Sequence, residues 1–447
     1  MSISRHMITD WEGNPAPEAP ISPESLKESG LTLGFVCDMI LRTIYTRGVM
    51  LGRDLGQFLC LPFKVIRDPL QFLKNEKLIQ VDGGDLVGDV SYRFSLTDLG
   101  RDRAKAAMEQ CAYVGPAPVP LDDYVEQCYR QTVTGLTCYP EALKAPFSHL
   151  VLKEEMFNAL GPAIVSGKSV FIYGPPGNGK TAMARSIGDF MNTAGGSIYI
   201  PYAFVADSNI ITMFDPSLHI IDDTAVEYSE EDATVRKLLT TGAVDQRWVR
   251  IRRPVIVTGG ELNLQMLDLR YSPESKFYQA PIHFKANGGV FLIDDFGRQL
   301  VTPKDLLNRW ILPLEDRHDF LTVASGKKIQ VPFEQLIIFS TNLDPKSLVD
   351  DAFLRRIRHK VGVYAPGRDV YERIFAANCK RLGMNYDPSA VDYLYERYYT
   401  KGRTPRASDC RDLLETVQSI CRYRRQPVHL TRDLMVEASA SFIAEFT

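Results

Sequence analysis

Eight consecutive residues have the types and spacing that bind phosphate: Gly174, Pro175, Pro176, Gly177, Asn178, Gly179, Lys180 and Thr181. Their glycines let the backbone wrap around an anion with its N–H groups turned inward. The N-terminus of a following helix adds partial positive charge. We expect the Lys180 ammonium to reach the outer phosphates of a nucleotide and the Thr181 hydroxyl to ligate Mg²⁺. Ala182, the next residue of that helix, completes the predicted nucleotide-binding set.

Two further apolar runs end in polar side chains that suit the same chemistry. Residues 290–293 are followed by Asp294 and Asp295, and residues 336–339 lead to Asn342. Ligands of open α/β sheets bind beyond the carboxyl ends of the strands. Asp294 is therefore predicted to hold Mg²⁺, directly or through a water molecule, and Asp295 to polarise an attacking water. Asn342 is predicted to orient the same water against the γ-phosphate.

The composition is that of an ordinary globular protein, with 447 residues, 45% of them hydrophobic and 24% charged. The formal net charge of −3 argues against a protein that binds nucleic acid over most of its surface. No apolar run reaches the roughly 18 residues that a membrane helix needs, and the N-terminus lacks an apolar signal region. Eight scattered cysteines without zinc-type spacing indicate reduced thiols. We therefore expect a cytoplasmic protein without membrane insertion.

The elements that must position these residues fall into five predicted segments. The polar, proline-rich residues 1–30 are typical of a flexible arm. Three helices and a hairpin are predicted within residues 31–111, and a linker with helices within 112–147. Strands and helices alternate over 148–364, which predicts a largely parallel α/β sheet, whereas 365–447 is predicted to be helical only.

The order of these motifs resembles that of the AAA+ ATPases over about residues 148–447. The resemblance implies a P-loop NTPase parallel sheet with a C-terminal helical lid, and ATP and Mg²⁺ as ligands. Residues 350–357 look like the arginine-finger segment of the family, with Arg356 as the first candidate and Arg355 as the second. A guanidinium can neutralise charge on a transferring γ-phosphoryl group. Because the finger comes from a neighbouring subunit in this family, the match implies a homo-oligomeric ring, with a hexamer as the expected size.

Two site residues stay open under this resemblance. Arg406 and Arg411 both fit the sensor 2 arginine, which contacts nucleotide from the lid, and Arg411 is slightly favoured because it would open an apolar-faced helix. The family usually has Glu after the acidic strand's first Asp, but this chain has Asp295, whose carboxylate is one methylene shorter. Slower water activation, or a nucleotide switch with weak turnover, is therefore left open.

Residues 285–289 resemble the lead-in to the acidic strand of MoxR-like ATPases and bacterial enhancer-binding activators. Two β-type runs around a Ser-Gly-Lys turn predict a hairpin over 320–331, similar to the pre-sensor 1 insertion of these branches. The long span from 181 to 294 contains an acidic stretch formed by Glu227, Glu230, Glu231 and Asp232. It also contains three candidate pore residues for which ordinary packing is favoured: Tyr271, Phe277 and Tyr278.

Residues 31–111 resemble a winged-helix domain, a class that often binds DNA through its third helix. Residues 31–110 contain eleven Lys or Arg and ten Asp or Glu, a net of +1, whereas a DNA footprint should be clearly basic. Pro69 is predicted to interrupt the third helix. The predicted wing is acidic at Asp82, Asp85 and Asp89. Protein docking or ring assembly is therefore favoured over DNA binding, although a small basic patch exists at Lys64, Arg67 and Lys74.

Together these patterns predict an ATPase that hydrolyses Mg·ATP between subunits of a homo-oligomer in order to remodel a macromolecule, most simply a protein complex. One alternative is a motor or transcription remodeller that acts on nucleic acid through the winged helix. The other is a nucleotide-gated scaffold in which assembly, rather than turnover, is the function.

Overall fold

The computed structural model describes residues 9–11, 14–15, 17–84, 89–222, 243–348 and 351–442. The acidic stretch at Glu227, Glu230, Glu231 and Asp232 lies outside these ranges, as do Asp85 of the predicted wing and Asp350 of the arginine segment. No helix in the described part of the chain is long and apolar enough to cross a membrane. All eight cysteines are free thiols, and each is buried or half-buried.

The N-terminal unit contains helices and a hairpin in the order that its apolar spacing predicts. Strands β1 (Thr9–Trp11) and β2 (Asn14–Pro15) precede this unit, pair with each other and lie against the helix over Lys180–Gly195. The elements of the unit are α1 (Leu33–Arg47), β3 (Met50–Leu51), α2 (Gly52–Leu59), α3 (Phe63–Asn75), β4 (Ile79–Gly84), β5 (Tyr92–Leu96) and α4 (Asp98–Gln110). Strands β3, β5 and β4 form an antiparallel sheet in that order. The hydroxyls of Thr32 and Thr97 accept hydrogen bonds from the first turns of α1 and α4, as N-caps do.

The prediction that Pro69 interrupts the third helix is wrong. Helix α3 is one element over Phe63–Asn75 with Pro69 inside it, and the Pro69 side chain is buried. The proline removes one backbone donor. The burial of Val65, Ile66 and Leu70 on the same helix stabilises it across that position.

Residues 17–30 pack against the rest of the chain, which differs from the flexible arm predicted over 1–30. Ser22 N donates to Ala243 O and Asp245 N donates to Pro20 O, each at 2.8 Å. The buried Arg247 guanidinium pairs with Asp245 at 2.8 Å and donates to Ser29 O at 2.9 Å.

Most of the predicted linker over 112–147 packs into the α/β region, whereas Tyr113 and Ala117 at its start belong to the core of the N-terminal unit. The linker contains β6 (Val119–Pro120), α5 (Leu121–Arg130) and α6 (Pro140–Lys144). Tyr124, Val133 and Phe147 in this stretch are fully buried.

The α/β region centres on a five-stranded sheet of order β12–β15–β18–β7–β19 in which all neighbours are parallel. The elements from residue 154 to 362 are α7 (Glu154–Ser166), β7 (Ser169–Tyr173), α8 (Lys180–Gly195), β8 (Ile198–Pro201), β9 (Ala203–Ala206), β10 (Asn209–Thr212), β11 (Trp248–Ile251), β12 (Val255–Thr258), β13 (Arg270–Tyr271), β14 (Tyr278–Gln279), β15 (Val290–Ile293), α9 (Pro303–Arg309), α10 (Ile311–Asp316), β16 (His318–Thr322), β17 (Lys328–Pro332), β18 (Leu336–Thr341), α11 (Pro345–Leu348), α12 (Asp351–Leu354) and β19 (His359–Gly362). Strands β15 and β18 are buried along their whole length, as the interior strands of a covered parallel sheet are. The predicted P-loop NTPase fold is confirmed.

Smaller sheets are attached to this central sheet. Strands β13, β14, β10, β9 and β6 form a mixed sheet in that order, and β8 pairs with β11. Strands β16 and β17 form the antiparallel hairpin that the sequence predicts over 320–331. Strand β6 precedes β7 in the chain, and the other four strands of the mixed sheet lie between β7 and β15, so this sheet is an addition to the parallel core.

The C-terminal region is helical, as predicted, and packs around its own core. Its elements are α13 (Arg368–Arg381), α14 (Pro388–Leu394), a π-helical turn (Tyr395–Tyr399), α15 (Ala407–Tyr423) and α16 (Arg432–Phe442). Phe375, Leu394 and Leu414 in this core are fully buried. We call this region the lid.

Candidate functional site

The predicted phosphate-binding loop joins the end of β7 to the start of α8, where the sequence places it. Gly174, Gly177 and Gly179 all have positive φ angles, of 139°, 81° and 84°. A Cβ atom on Gly174 would lie 2.1 Å from Val363 O, so a side chain there would collide with the backbone that follows β19. The loop conformation therefore depends on glycine for both dihedral and steric reasons.

Lys180 lies at the centre of the site, and only 7% of its surface is exposed. Its Nζ atom donates to Gly174 O and Pro175 O, each at 2.9 Å, and to Asn342 Oδ1 at 2.5 Å. Burial lowers the pKa of Lys180, although Asp295 and Asp294 act to raise it. The ammonium is held by oxygen atoms at the carboxyl edge of the sheet, where phosphate oxygens could bind it.

Thr181 and Asp294 come together from motifs that are far apart in sequence, as a shared metal site requires. The Thr181 Oγ1 atom donates to Asp294 Oδ2 at 2.8 Å. Within the described residues no group of three or more His, Cys, Asp and Glu side chains could hold a metal ion. One hydroxyl and one carboxylate nevertheless fit Mg²⁺, which usually keeps several waters and takes its other ligands from substrate phosphates.

Asp295 and Asn342 are also brought together. The Asn342 Nδ2 atom donates to Asp295 Oδ1 at 2.7 Å. Asp295 is exposed and has a φ of 49°, a left-handed conformation that Asp tolerates better than most residues. Strand β18 lies between β15 and β7, which places the Asn342 amide between the carboxylate of Asp295 and the ammonium of Lys180.

Gln299 supports the turn after β15, and sequence reasoning missed it. Its Nε2 atom donates to Asp294 O at 2.9 Å, and its Oε1 atom accepts from Gly297 N at 2.8 Å. These two bonds stabilise the backbone of the turn that carries Asp294 and Asp295. A glutamine five residues after an acidic strand end carries no signal in the sequence alone, because its role depends on the fold of the turn.

A cavity of about 540 Å³ extends from the loop toward the lid. The loop, Asp294, Asp295 and Asn342 line one side of it. The lid contributes Asn378, Arg381 and Arg411, and the segment 149–152 closes a further side with three apolar side chains. Sequence reasoning missed residues 149–152, Asn378 and Arg381, because their approach to the loop depends on long-range packing.

The two sensor candidates occupy different places. Arg411 lines the cavity and pairs with Asp412 at 2.7 Å. Arg406 precedes α15 and lies over the loop, since a Cβ atom on Gly177 would be 3.4 Å from the Arg406 Cβ and Cδ atoms. Among the described residues the Arg406 guanidinium has no hydrogen-bond or ion-pair partner, whereas its backbone carbonyl accepts from Asp409 N at 3.1 Å.

The two arginine-finger candidates differ in their contacts. Arg356 Nε pairs with Glu315 Oε1 at 2.6 Å. The Arg355 side chain is exposed and is without a hydrogen-bond or ion-pair partner in the described part of the chain. Both lie between α12 and β19, and neither is among the residues that line the cavity of their own chain.

The candidate pore residues are mostly packed. Tyr278 is buried, and its hydroxyl accepts a hydrogen bond from Ala324 N at 2.8 Å. The Phe277 ring lies edge-on to Tyr113 with centroids 5.5 Å apart. Tyr271 is 43% exposed and rests against Tyr278.

The comparison with protein families matches the C-terminal part of the chain. A family model described as a domain of unknown function, DUF8689, matches residues 367–441, which is the lid. The comparison with curated protein sequences found no match.

Three solved structures illustrate the similarity. The Thermotoga maritima RuvB Holliday junction branch migration motor is 15% identical with a TM-score of 0.35, covering 68% of this chain and 70% of that one. NtrX from Brucella abortus, in complex with ADP, is 15% identical with a TM-score of 0.38, covering 74% and 64%. Domain III of the Thermotoga maritima replication initiation protein DnaA is 14% identical with a TM-score of 0.37, covering 69% and 99%. At such TM-scores these matches carry no argument about function.

Proposed function

We propose that this chain is a cytoplasmic AAA+ ATPase that hydrolyses Mg·ATP and uses the energy to remodel a macromolecular partner. The observation that carries the proposal is the hydrogen-bond chain from Lys180 through Asn342 to Asp295, with bonds of 2.5 and 2.7 Å. Three motifs that are far apart in sequence supply its members. A phosphate-binding cation, an orienting amide and a general base are the groups that hydrolysis of a phosphoanhydride requires.

The residues divide into binding and reaction roles. The loop N–H groups and Lys180 would bind the β- and γ-phosphates. Thr181 and Asp294 would hold Mg²⁺, which neutralises charge on the phosphate oxygens when bound. Asp295 would accept the proton of a water that Asn342 orients. Because Asp295 is exposed, water reaches its carboxylate without a change in the fold.

The adenine moiety would lie between the segment 149–152 and the lid. Leu150, Leu152 and Ile374 give that part of the cavity apolar surface, and Asn378 adds an amide. Nucleotide sites commonly combine apolar walls with a few polar groups that fix orientation. Arg411 or Arg406 would contact the phosphates from the lid, as the sensor 2 residue of the AAA+ resemblance does.

The Arg355 side chain is the better candidate for a finger that reaches a neighbouring subunit. It is exposed, whereas Arg356 would first have to leave Glu315. An arginine supplied in trans stabilises charge on the transferring phosphoryl group. We therefore propose that the active form is a homo-oligomeric ring, with a hexamer as the expected size.

A protein partner is favoured over DNA for the proposed winged-helix unit. Lys64, one of the three cations of the small basic patch, is paired with Glu24 at 3.0 Å. Asp82 is exposed in the described part of the hairpin. Binding to the phosphate backbone of DNA depends on the number of free Lys and Arg side chains, and this pairing reduces that number.

Phosphate release from ATP, measured with the purified full chain in Mg²⁺ and in excess chelator, tests the proposal. We expect Mg²⁺-dependent release and an oligomer that forms with ATP. Oligomer formation without release above background would favour the nucleotide-gated scaffold. Tight, salt-sensitive binding to duplex DNA by the same preparation would favour the nucleic-acid alternative.

A further inference from the structure

Helix α15, the longest helix of the lid, has no side-chain cap of its own. Arg406 occupies the N-cap position and makes no capping hydrogen bond. The first N–H groups of a helix have no partner within the helix, and they need one from elsewhere when they are not exposed to water. The N-terminus of α15 lies against the phosphate-binding loop, so partners from that loop are within reach.

The loop supplies these partners. The Asn178 Oδ1 atom accepts from Ala407 N at 3.2 Å, and Gly177 O accepts from Ser408 N at 2.8 Å. The Asn178 side chain is only 9% exposed, and its Nδ2 atom donates to Pro175 O at 3.4 Å. A residue of the loop therefore caps a helix that begins 229 positions later in the chain.

Another residue of the first turn of α15, Asp409, is held by hydrogen bonds within the lid. Asp409 is 2% exposed and accepts hydrogen bonds from the Tyr399 hydroxyl at 3.1 Å and from Arg403 Nη2 at 3.3 Å. Tyr399 ends the π-helical turn, and its hydroxyl is also 2.8 Å from that of Tyr371. A displacement of the first turn of α15 would therefore be transmitted to α13 and to the π-helical turn.

The contact with Ser408 ties lid position to loop conformation. The carbonyl of Gly177 and the N–H of Asn178 belong to one planar peptide unit, and they point in opposite directions. The N–H is one of the donors that the loop motif offers to phosphate, whereas the carbonyl bonds the lid. Space is limited at this point, because a Cβ atom on Gly177 would lie 2.5 Å from Ser408 Oγ. A rotation of this peptide on phosphate binding would either break the bond to Ser408 N or move the N-terminus of α15 with it.

We propose that Asn178 is a positioning residue that caps α15 and fixes the lid on the phosphate-binding loop, so that the occupancy of the loop sets the lid's orientation. The coupling to nucleotide rests on the proposed function, but the cap itself does not. Arg406 and Arg411 flank the capped turn, so the cap also sets where these two side chains lie relative to the loop.

Amide hydrogen exchange on the nucleotide-free full chain tests the cap. In Asn178→Ala we expect the amides of Ala407 and Ser408 to exchange about fivefold faster, which corresponds to the typical contribution of an N-cap. The amides of Leu413 to Val417, in the middle of α15, should be unchanged. Asn178→Asp should restore slow exchange, because its carboxylate accepts the same bond and a negative charge suits a helix N-terminus.

The matched control is Asn158→Ala, which removes an exposed amide on α7 and should leave exchange throughout α15 unaltered. Equal exchange of Ala407 in wild type and Asn178→Ala would overturn the proposal, as would faster exchange along the whole of α15 in that variant. In wild type, addition of a non-hydrolysable ATP analogue with Mg²⁺ should change exchange at these two amides by at least about twofold, an effect that Asn178→Ala should lose. If the analogue does not bind wild type at all, the proposed ATPase function fails, while the result in the nucleotide-free protein still decides the cap.

Discussion

The Thr181 hydroxyl donates a 2.8 Å hydrogen bond to the Asp294 carboxylate, although 113 positions separate the two residues in sequence. Thr181 begins α8 after the phosphate-binding loop, and Asp294 follows β15. Their contact requires β15, β18 and β7 to run parallel in adjacent positions, so that their carboxyl ends form one edge. The bond therefore reports the architecture of the site as well as the pair of groups expected to hold Mg²⁺.

We expect Asp295→Asn to bind ATP as tightly as wild type and to hydrolyse it at least about 100-fold more slowly, because a general base is removed. Asparagine keeps the oxygen that accepts from Asn342, so the local geometry should persist. Binding of a fluorescent ATP analogue and phosphate release measure the two effects separately. Asp316→Asn, at an exposed position of α10, is the control. Undiminished phosphate release by Asp295→Asn would reject Asp295 as the base.

Lys180→Ala should weaken nucleotide binding by about 10- to 100-fold, the range expected for a lost charge-assisted contact. The effect should be larger for ATP than for adenosine, because the ammonium is predicted to contact phosphate alone. Isothermal titration with both ligands measures the ratio. Lys304→Ala, an exposed lysine of α9, should bind like wild type. An equal loss of affinity for adenosine would indicate that the variant had damaged the whole pocket.

Arg355→Ala should abolish most hydrolysis in the oligomer while leaving ATP binding intact, because its guanidinium is proposed to act on a neighbour's nucleotide. A mixture of Arg355→Ala with Asp295→Asn subunits should regain activity that neither variant has alone. At those mixed interfaces an intact arginine faces an intact base. The measurement is phosphate release as a function of mixing ratio.

Arg356→Ala gives the decisive comparison for the finger. This substitution also breaks the ion pair with Glu315. Glu315→Gln breaks the same pair but keeps Arg356, so it should reproduce any change in hydrolysis that is due to the lost pair alone. If Arg356→Ala, rather than Arg355→Ala, regains activity on mixing with Asp295→Asn, the assignment between the two arginines is reversed. A lack of recovery with both would reject an arginine of this segment acting between subunits.

Local patterns predicted much of the site because its chemistry is carried by short motifs at strand ends. The loop at 174–181, Asp294 and the hairpin at 320–331 could each be located from neighbouring residues alone. Asn342 and Asp295 follow β18 and β15, and because these strands are parallel neighbours in the sheet, the two side chains meet at its carboxyl edge.

The remaining contacts depend on tertiary packing that no local pattern encodes. The cap from Asn178 to Ala407 and the approach of residues 149–152 to the loop are examples. At Pro69 a local pattern predicted a helix break that the structure does not have, because burial of the neighbouring side chains outweighs the unfavourable helix propensity of proline. The packing of residues 17–30 could not be predicted from their own sequence either, because it depends on Arg247, a buried side chain far away in the chain.

Buried His283 should make the protein lose stability as the solution becomes acidic. Burial lowers the pKa of His283, although the hydrogen bond and charge of Asp319 act to raise it. A histidine whose pKa is lower in the folded state stabilises the fold fully above its unfolded pKa of about 6.5. That contribution declines as the pH falls below this value, because the unfolded chain then binds more protons.

The free energy of unfolding from urea titrations at about pH 7.5 and about pH 5.5 measures this effect. We expect His283→Phe to be less stable than wild type at the higher pH, since Asp319 loses a partner 3.0 Å away. Its further loss of stability on acidification should nevertheless be smaller than that of wild type. His283→Phe should still lose some stability on acidification, because burial also lowers the pKa of His219. His429→Gln, at an exposed position of the lid, should keep the wild-type difference between the two pH values. An equal difference for His283→Phe and wild type would show that the buried ring contributes nothing to the acid sensitivity.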